Sequence, residues 1–340
     1  MKKVRVAING FGRIGRVFFR LAQTSDQIEI VAVNELGDID NIAYLLARDT
    51  VYGQAPFSVH VEGDVLVAGK FRAKFLSEKD PSKLPWRDLN IDIVVESTGV
   101  FVEYEKAKMH LDAGAKRVVI SAPAKDEPRS VPGATVLMGI NEDKLRTCAI
   151  TSNASCTTNA GSPLMAILDE ELGIEKALLN TAHAYTASQS IVDGPNKHNL
   201  REGRAGAQNI IPSTTGAAIS VTKALPHLEG RFDGISMRVP VVCGSLVDIT
   251  FVAKRDTSVG EVNEILKRAS EDPRWAGIFT VTEEPLVSSD IVGQTYGAIA
   301  DLGLTKVVGG NLVKVCAWYD NEMGYANTLL KHVIEFGAHV

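Results

Sequence analysis

The sequence has few cysteines, and they form none of the patterns found in disulfide-rich or metal-binding proteins. Its four cysteines, Cys148, Cys156, Cys243 and Cys316, are scattered over 340 residues, without a C-x-x-C pair or a Cys/His cluster. A disulfide framework is unusual in a chain of this length, and zinc sites need clustered ligands. We therefore expect no disulfide scaffold and no metal site, and we expect Cys148, Cys243 and Cys316 to be small buried side chains.

Long hydrophobic runs and an excess of basic residues are also missing. No apolar stretch reaches the roughly 18 residues of a membrane span, and the apolar segment behind the N-terminal lysines, 6–8, is too short for a signal peptide. The net charge of −5 gives no general attraction for nucleic acids or anionic membranes. We expect a cytoplasmic protein that binds neither, with room for two domains.

A glycine-rich turn near the N-terminus has the spacing of a dinucleotide-binding motif. A β-type segment, 4–8, leads into the turn, and a helical pattern follows it. In such a turn Gly10 permits the tight bend, Gly12 lets a pyrophosphate approach the backbone, and Gly15 lets the helix pack on the strand. The phosphates bind at the helix N-terminus. The candidate cofactor residues here are Gly10, Phe11, Gly12, Arg13, Ile14 and Gly15.

The acidic residue Glu35 follows the second predicted strand, 28–33, and lies about twenty residues after Gly15. An acid at this position binds the hydroxyls of the adenosine ribose. Because a carboxylate also repels a 2′-phosphate, Glu35 favours NAD over NADP as the cofactor.

Two further segments read as buried parallel strands, 91–96 and 117–120, with a helix between them. In open α/β sheets the carboxyl ends of such strands line the ligand crevice. The small residues that follow these strands, Thr98, Gly99 and Ser121, are therefore candidate neighbours of the nicotinamide. The first half of the chain is predicted to be a Rossmann-type domain with a parallel sheet.

Cys156 differs from the other cysteines in its surroundings. It lies in the small, polar segment Ser155-Cys156-Thr157-Thr158, between an apolar run and a helical pattern. This order places the cysteine at a predicted helix N-terminus, where free backbone N–H groups and the helix dipole favour a thiolate. A thiolate is a strong nucleophile, so Cys156 is the candidate for covalent chemistry.

The second half of the chain has long strands that mostly follow one another without an intervening helix. The predicted strands are 177–186, 234–239, 246–253, 298–300 and 312–318, and the predicted helix is 259–269. A long irregular segment, 188–208, interrupts them, and long loops in compact domains are usually functional. Within the overall α/β class, we expect this half to be an α+β catalytic domain with a mostly antiparallel sheet.

Several groups in this half suit proton transfer or anionic oxygens. His183 lies on a predicted strand and can act as the base for Cys156 if the two side chains meet. Arg238 lies inside an otherwise apolar strand, which is an unusual place for a surface charge. Hydroxyl side chains at 213–215 precede Gly216 and a predicted helix, where ordinary helix capping is the alternative role.

A nucleophilic cysteine, a dinucleotide fold and anion-binding groups together indicate one reaction. The thiolate adds to an aldehyde, and the thiohemiacetal that forms gives a hydride to the nicotinamide. Phosphate or water then attacks the thioester that remains. We therefore predict an NAD-dependent aldehyde dehydrogenase.

From end to end, the chain resembles the family of phosphorylating glyceraldehyde-3-phosphate dehydrogenases. The motifs that carry the resemblance are Asn9-Gly-Phe-Gly-Arg-Ile-Gly-Arg16, Ser97-Thr-Gly99, Ser152-Asn-Ala-Ser-Cys-Thr-Thr-Asn159, His183-Ala-Tyr-Thr186, Ile210-Ile-Pro-Ser-Thr-Thr-Gly216 and Trp318-Tyr-Asp-Asn-Glu322. The resemblance implies oxidation of D-glyceraldehyde 3-phosphate with NAD and inorganic phosphate, in a homotetramer. It implies an NAD-binding domain at 1–155, completed by a C-terminal helix at 322–340, and a catalytic domain at 156–321.

The resemblance also implies roles for single residues. Cys156 would be the nucleophile and His183 its base. The residues that would hold the C3 phosphate of the substrate are Thr186 and Arg238. Those that would hold the attacking phosphate are Ser155, Thr157, Thr215 and Gly216. The additional residues expected at the cofactor are Asn321, for the nicotinamide carboxamide, Tyr325 and Lys79, with the long loop against the cofactor and a neighbouring subunit.

Three positions depart from the family pattern. Glu35 stands where an aspartate is usual, and Ala160 replaces a common second cysteine. Glu202 replaces an arginine that helps the inorganic phosphate site. Glu35 and Glu202 leave open an erythrose-4-phosphate dehydrogenase, which releases a free acid, whereas Thr215 and Gly216 favour the phosphorylating enzyme. A nucleotide-binding protein that acts only through partners is disfavoured, because Cys156 and its candidate partners are all present.

Overall fold

The computed structural model describes residues 3–197 and 199–340, which form two compact units. The first unit comprises the chain up to Ala154 together with Ala326–Val340, and the second is Ser155–Tyr325. The strands are β1 (Val4–Asn9), β2 (Ile28–Asn34), β3 (Arg48–Asp49), β4 (Gly53–Gln54), β5 (Val59–Glu62), β6 (Val65–Ala68), β7 (Phe71–Leu76), β8 (Ile93–Glu96), β9 (Arg117–Ile120), β10 (Gly133–Thr135), β11 (Ile150–Ser152), β12 (Ile174–Ala184), β13 (Ile211–Thr214), β14 (Phe232–Val239), β15 (Ser245–Ala253), β16 (Phe279–Thr282), β17 (Ala298–Asp301), β18 (Lys306–Val308) and β19 (Leu312–Tyr319). The helices are α1 (Arg13–Ala22), α2 (Ile39–Ala47), α3 (Tyr104–Asp112), α4 (Cys156–Leu172), α5 (Ala217–Ala224), α6 (Val259–Glu271) and α7 (Met323–Gly337).

The first unit is built on a mostly parallel sheet with the strand order β10-β11-β9-β8-β1-β2-β7-β6-β5. The strands from β10 to β7 run parallel, and β5, β6 and β7 form an antiparallel extension at one edge. The chain leaves β1 toward β2 on one side and returns to β8 on the other, so the strand order reverses at β1. A ligand crevice forms at such a switch point, outside the carboxyl ends of the strands. The predicted Rossmann-type architecture is confirmed.

The residues of the central strands are buried because both faces of this sheet are covered. Ile93, Val94 and Val95 of β8 are all fully buried, as the near-continuous apolar sequence of a parallel strand predicts. On α1, Val17, Phe18 and Phe19 are also buried. The C-terminal part of α7 belongs to the same unit.

The second unit contains a sheet with the strand order β13-β14-β12-β15-β19-β17-β16, and β18 also pairs with β19. Five of its pairings are antiparallel, and β12–β14 and β16–β17 are parallel. The predicted mostly antiparallel sheet is therefore confirmed. The parallel pairing of β12 with β14 sets His183 directly opposite Arg238.

Two segments of the second unit bear on the sequence-based predictions. The predicted strand 177–186 ends early, at Ala184, because the Thr186 backbone N–H turns to bond the Gln189 side chain at 2.9 Å. In its described part, the segment 188–208 is irregular apart from a short 3₁₀ turn at Leu200–Gly203 and an isolated β-bridge between Ser190 and Ala205. Residue 198 of this segment lies outside the described residues.

Within the described residues, we find no helix with the length and apolar character needed to span a membrane.

Candidate active site

The glycine turn between β1 and α1 is shaped as its sequence predicts. Gly10 has φ +90°, a left-handed conformation that favours glycine. A Cβ on Gly15 would lie 2.4 Å from the Gly10 carbonyl oxygen, so only glycine allows this close packing of α1. A Cβ on Gly12 would meet nothing within 4 Å, and Gly12 is exposed. This open backbone at a helix N-terminus fits the pyrophosphate of a dinucleotide.

Glu35 reaches back to the glycine turn from the end of β2. Its Oε2 accepts a hydrogen bond from the Phe11 backbone N–H at 2.7 Å. Its Oε1 accepts from the N–H groups of Leu36, at 2.8 Å, and Gly37, at 3.3 Å. A carboxylate has about four acceptor positions, so these three bonds hold Glu35 at the turn and leave acceptor capacity for a ribose hydroxyl.

The side chain of Arg13, at the start of α1, contacts other residues of the first unit. Its guanidinium pairs with Asp49 at 2.5 Å and lies 5.7 Å from the ring centroid of Tyr52. Because Asp49 already neutralises this charge, any contribution of Arg13 and Ile14 to cofactor binding is expected from the backbone of the helix start.

A Glu35→Ala variant is expected to bind NAD roughly tenfold more weakly, because a hydrogen-bonding carboxylate is lost and the Phe11 N–H loses its partner. The gap between NAD and NADP should narrow, since the negative charge that repels a 2′-phosphate is gone. Fluorescence titrations with both cofactors measure the two dissociation constants. Glu35→Asp keeps the charge and should keep the preference for NAD. An unchanged preference in Glu35→Ala would remove the ribose role of this residue.

The other candidate cofactor residues of the first unit follow strand ends. Thr98 and Gly99 come after β8, and Gly99 is exposed with φ +74°. Ser121 follows β9, and its N–H donates to the Glu96 carbonyl at 2.9 Å. Lys79 is exposed on the segment that follows β7. All four therefore lie beyond the carboxyl ends of parallel strands, as a crevice residue must.

Cys156 is the first residue of α4, as predicted. Ser155 is the N-cap: its Oγ accepts from the Thr158 N–H at 3.1 Å, and Thr158 Oγ1 accepts from the Ser155 N–H at 3.4 Å. This reciprocal capping box fixes where the helix begins. The candidate nucleophile therefore occupies a defined place at a helix N-terminus.

His183 and Arg238 join Cys156 in a single cluster of the second unit. Cys156 Sγ lies 3.3 Å from His183 Nε2. On the other side of the ring, His183 Nδ1 lies between an acceptor and a donor. The Ala184 carbonyl oxygen, at 2.7 Å, accepts from Nδ1 in the tautomer that carries its proton there, and this tautomer leaves Nε2 unprotonated and able to take a proton from the thiol. Arg238 Nη1, which can only donate, lies 2.6 Å from Nδ1 and pairs with the tautomer in which Nδ1 is unprotonated; it also donates to the Ala184 carbonyl at 3.2 Å.

Burial sets the resting protonation of this pair. It raises the pKa of the Cys156 thiol, against the opposing effects of Arg238 and the hydrogen bonds of Thr157. Burial, followed by the Arg238 guanidinium, lowers the pKa of His183 to about 3. The hydrogen bonds at the helix start and the Arg238 guanidinium favour the thiolate, whereas burial favours the neutral thiol. The neutral imidazole must take the thiol proton for the nucleophile to form.

Arg238 has an unmet hydrogen-bonding group at this site. Its Nε is buried without a partner among the described residues. A buried N–H that is left unpaired costs free energy, and a cationic one is best satisfied by an anion. The arginine, adjacent to the nucleophile pair, therefore suits a phosphate group.

The remaining candidate substrate residues make local contacts. Thr157 Oγ1 lies 2.9 Å from the Tyr319 hydroxyl, and Thr186 Oγ1 lies 3.0 Å from Ser188 Oγ. Thr215 Oγ1 accepts from the Ala217 N–H at 3.2 Å, and Gly216 is the N-cap of α5. Hydrogen-bond distances thus join Cys156, His183 and Arg238 in one cluster.

The two candidate cofactor residues of the second unit are both buried. Asn321 Oδ1 accepts hydrogen bonds from the Gly244 N–H and the Ser245 hydroxyl, each at 3.1 Å. These contacts fix the side-chain amide, so that its NH₂ is the group oriented for a ligand carbonyl. Tyr325 lies on the first turns of α7 and is 4% exposed.

Tyr319 is a site residue that the sequence analysis missed. Its hydroxyl lies 2.9 Å from Thr157 Oγ1 and 2.8 Å from Thr181 Oγ1, and its ring packs edge-on against His183 at 5.8 Å. It thus contacts both the first turn of α4 and the candidate base, His183. The sequence feature that could have identified Tyr319 is its position in the Trp318–Glu322 motif, near Asn321.

Comparisons with known proteins agree with this arrangement. A family model described as "Glyceraldehyde 3-phosphate dehydrogenase, NAD binding domain" matches residues 4–104, and one described as "Glyceraldehyde 3-phosphate dehydrogenase, C-terminal domain" matches residues 155–321. The chain is 48% identical over 338 residues to glyceraldehyde-3-phosphate dehydrogenase of Streptomyces coelicolor, with 98% of each chain covered. It is 49% identical over 343 residues to that of Mycobacterium avium, again with 98% of each covered.

Proposed function

Because the chain belongs to the glyceraldehyde-3-phosphate dehydrogenase family, we propose that it oxidises D-glyceraldehyde 3-phosphate to 1,3-bisphosphoglycerate, with NAD and inorganic phosphate. The observation that carries the proposal is the 3.3 Å distance between Cys156 Sγ and His183 Nε2 at the start of α4. This pair supplies a nucleophile with its own base. The glycine turn and Glu35 of the first unit supply the features that NAD binding requires.

The reaction follows from the groups that the chain provides. His183 Nε2 takes the proton of Cys156 Sγ as the sulfur attacks the aldehyde carbon, and returns it to the carbonyl oxygen, which gives a thiohemiacetal. NAD, when bound, would supply the hydride acceptor, held by the glycine turn and Glu35. His183 takes the hydroxyl proton as the thiohemiacetal carbon is oxidised, and a thioester remains on Cys156. Phosphate attacks the thioester carbon, the C–S bond breaks with the thiolate as leaving group, and the protonated His183 returns its proton to the sulfur as the acyl phosphate leaves.

The anionic groups of the substrates have matching donors. We assign the substrate's own phosphate to Arg238 and Thr186, because the Arg238 Nε is buried and unpaired. We assign the attacking phosphate to Ser155 and Thr157 at the start of α4, and to Thr215 and Gly216 at the start of α5, since helix N-termini bind anions.

An Arg238→Ala variant is expected to lose roughly a hundredfold in kcat/KM for glyceraldehyde 3-phosphate, because a charge-assisted contact to the phosphate disappears. Activity with unphosphorylated glyceraldehyde should fall by less than about threefold, since that substrate makes no such contact. Steady-state kinetics on both aldehydes measure the difference. Arg268→Ala, which removes an exposed arginine on α6, is the matched control and should change neither. Equal losses on both aldehydes would mean that Arg238 acts through His183 instead.

An erythrose-4-phosphate dehydrogenase, which hydrolyses the thioester, is the alternative activity. The features in its favour are Glu35 and Glu202, and the Glu202 carboxylate accepts from Ser213 Oγ at 2.5 Å, close in sequence to Thr215. A negative charge in this region opposes phosphate binding. The names of the relatives do not favour this alternative.

NAD reduction by the purified protein tests the proposed function. Glyceraldehyde 3-phosphate is supplied with and without inorganic phosphate, and erythrose 4-phosphate is supplied in parallel. Strong dependence on phosphate with the three-carbon substrate supports the phosphorylating reaction. Turnover that needs no phosphate and is faster with the four-carbon sugar would establish the alternative.

We also propose that the protein works as a cytoplasmic homotetramer. Large apolar side chains are exposed on the sheet of the second unit, where Leu178 and Leu312 border a cavity of about 640 Å³. Others are exposed on the long loop, including Ile191 and Leu200. Exposed apolar patches of this kind mark protein interfaces. Light scattering after size-exclusion chromatography gives the molar mass in solution, and a mass of one chain would rule out the tetramer.

A further inference from the structure

A cluster of buried polar side chains lies at the carboxyl ends of three neighbouring strands in the first unit. Asn34 ends β2, Asn9 ends β1 and Glu96 ends β8, and none of the three is more than 5% exposed. The cluster continues to His110 on α3 and to Trp86, both fully buried. Burying so many polar groups is costly unless each is hydrogen bonded. Their arrangement therefore indicates a purpose beyond packing.

The Glu96 carboxylate is the centre of this cluster, and its two oxygens face different partners. Oε2 accepts from Asn9 Nδ2 at 2.6 Å and lies 3.0 Å from His110 Nε2. Oε1 accepts from the Thr98 N–H at 2.8 Å and also from the Thr98 hydroxyl. With the Nε2–H form of His110, all four donors are neutral. Directed hydrogen bonds, rather than a cation, therefore hold this carboxylate.

Trp86 determines which form of His110 faces the carboxylate. The indole Nε1–H of Trp86 lies 3.0 Å from His110 Nδ1. An indole N–H can only donate, so Nδ1 must be the unprotonated, accepting nitrogen. The ring proton is then on Nε2 and is donated to Glu96. The pair Trp86–His110 therefore sets both the tautomer of the ring and the orientation of the carboxylate.

The cluster also reaches the segment that follows β7. Asn34 Nδ2 donates to Asn9 Oδ1 at 2.7 Å and to the Glu78 carbonyl at 2.8 Å. Asn34 Oδ1 accepts from the Glu78 N–H at 2.9 Å. Glu78 directly precedes Lys79, a candidate cofactor residue, so this segment is tied to the same network.

Every strand end in the cluster leads directly into the predicted cofactor site. The candidate cofactor residues that follow within two positions are Gly10 after Asn9, Glu35 after Asn34, and Thr98 after Glu96. A small change in the orientation of one cluster residue would therefore move a cofactor contact. Supporting shells of this kind hold a binding site within a few tenths of an ångström of its working geometry.

The turn after β8 has no free space on the side of the glycine turn. A Cβ on Gly10 would lie 2.6 Å from the Thr98 backbone nitrogen. Ser97 Oγ donates to the Gly10 carbonyl at 2.7 Å, and the Val100 N–H donates to Thr98 Oγ1 at 3.0 Å. Glu96 binds Thr98 within this tightly packed pair of turns. The hydrogen bonds that the Glu96 carboxylate accepts from Thr98 thus hold the Thr98 turn in place against the Gly10 turn.

We propose that Glu96 is a positioning residue of the cofactor site, whose carboxylate fixes the Thr98 turn against the Gly10 turn. His110 and Trp86 fix the orientation of that carboxylate. The proposal deepens the NAD-dependent function proposed above and rests on it. Glu96 itself need not touch the cofactor.

A Glu96→Gln variant tests the proposal. Glutamine has the same shape, but its NH₂ group must face either the two donors of Thr98 or the two donors from Asn9 and His110. One side of the network is therefore lost. NADH affinity, measured directly by fluorescence titration, should fall roughly tenfold to a hundredfold. The KM for the aldehyde, with NAD saturating, should stay within about twofold of the wild type because the second unit is unchanged.

Asp92→Asn is the matched control, because Asp92 is a buried acid just before the other end of β8. It is 3% exposed and accepts from the Arg5 N–H at 3.0 Å and from Lys116 Nζ at 2.7 Å. The Asp92→Asn variant should unfold at a lower temperature than the wild type, whereas its NADH affinity should not change. Equal losses of affinity in both variants, or wild-type affinity in Glu96→Gln, would overturn the positioning role. A wild-type protein that binds no NADH would overturn the proposed function as well.

A second pair of variants tests the same proposal if Glu96→Gln does not fold. His110→Gln can donate to Glu96 and accept from Trp86, so it should bind NADH within about threefold of the wild type. His110→Leu can do neither and should bind about tenfold more weakly. Equal NADH affinity of these two variants would contradict the proposal, since glutamine can make these two hydrogen bonds and leucine cannot.

Discussion

A Cys156→Ser variant is expected to lose turnover by roughly 10⁴-fold or more, because a hydroxyl is a far weaker nucleophile than a thiol–imidazole pair. Binding of NAD should stay at the wild-type level, since the glycine turn and Glu35 belong to the first unit. Steady-state NAD reduction and NADH fluorescence titration measure the two properties separately. Loss of turnover without loss of cofactor binding is the result that covalent catalysis predicts.

Cys148→Ser is the matched control for this substitution. Cys148 is also a cysteine, but it is 7% exposed in the first unit, and burial raises the pKa of its thiol. Its replacement should leave turnover within about twofold of the wild type, with a small loss of stability. Near-normal turnover in Cys156→Ser would exclude Cys156 as the nucleophile.

A His183→Asn variant is expected to lose roughly 10² to 10⁴-fold in kcat, because it removes the base that takes the thiol proton. The remaining activity should rise with pH up to the alkaline limit of the assay. The reason is that burial raises the pKa of the Cys156 thiol, so without His183 the thiolate appears only at high pH. The wild type should not show this rise through neutral pH. With a pKa of about 3, the His183 imidazole is already unprotonated there and able to accept the proton.

The pH–rate profiles of both proteins, measured with saturating NAD, check this prediction. His227→Asn is the matched control, since His227 is an exposed histidine that lies near Asp169 on the surface. It should keep the wild-type profile. Identical profile shapes for His183→Asn and the wild type would mean that His183 does not set the protonation of the nucleophile.

Features that depend on neighbouring residues in the sequence could be predicted. The glycine turn, the strands around it and the start of α4 at Cys156 each follow from local steric and hydrogen-bonding rules. The overall division into a parallel and a mostly antiparallel sheet also follows from the order of helical and strand patterns.

Features that depend on strand pairing could not be predicted. His183 and Arg238 are 55 residues apart, and only the parallel pairing of β12 with β14 brings them together. Sequence patterns do not specify which strands pair. Arg238 could be singled out as an unusual charge within a strand, but its contact with the base required the structure.

Buried polar networks were the least predictable part of the cofactor site. Asn9 and His110 are 101 residues apart, and Glu96 reads in the sequence as the last residue of an apolar strand. Nothing local distinguishes an acid that binds a ligand from one that holds two turns together. In the same way, the position of Glu35 could be predicted, whereas its hydrogen bond to Phe11 depends on how the glycine turn folds.

A single-turnover experiment without inorganic phosphate tests the central claim, an acyl intermediate on Cys156, most directly. The enzyme is mixed with NAD and glyceraldehyde 3-phosphate, NADH formation is followed rapidly, and the mass of the peptide that contains Cys156 is measured. We predict a burst of roughly one NADH per chain and an acyl group on Cys156. When phosphate is added, the acyl group should leave Cys156, and NADH formation should continue beyond one per chain. Steady NADH formation without phosphate, and an unmodified Cys156 throughout, would contradict the account.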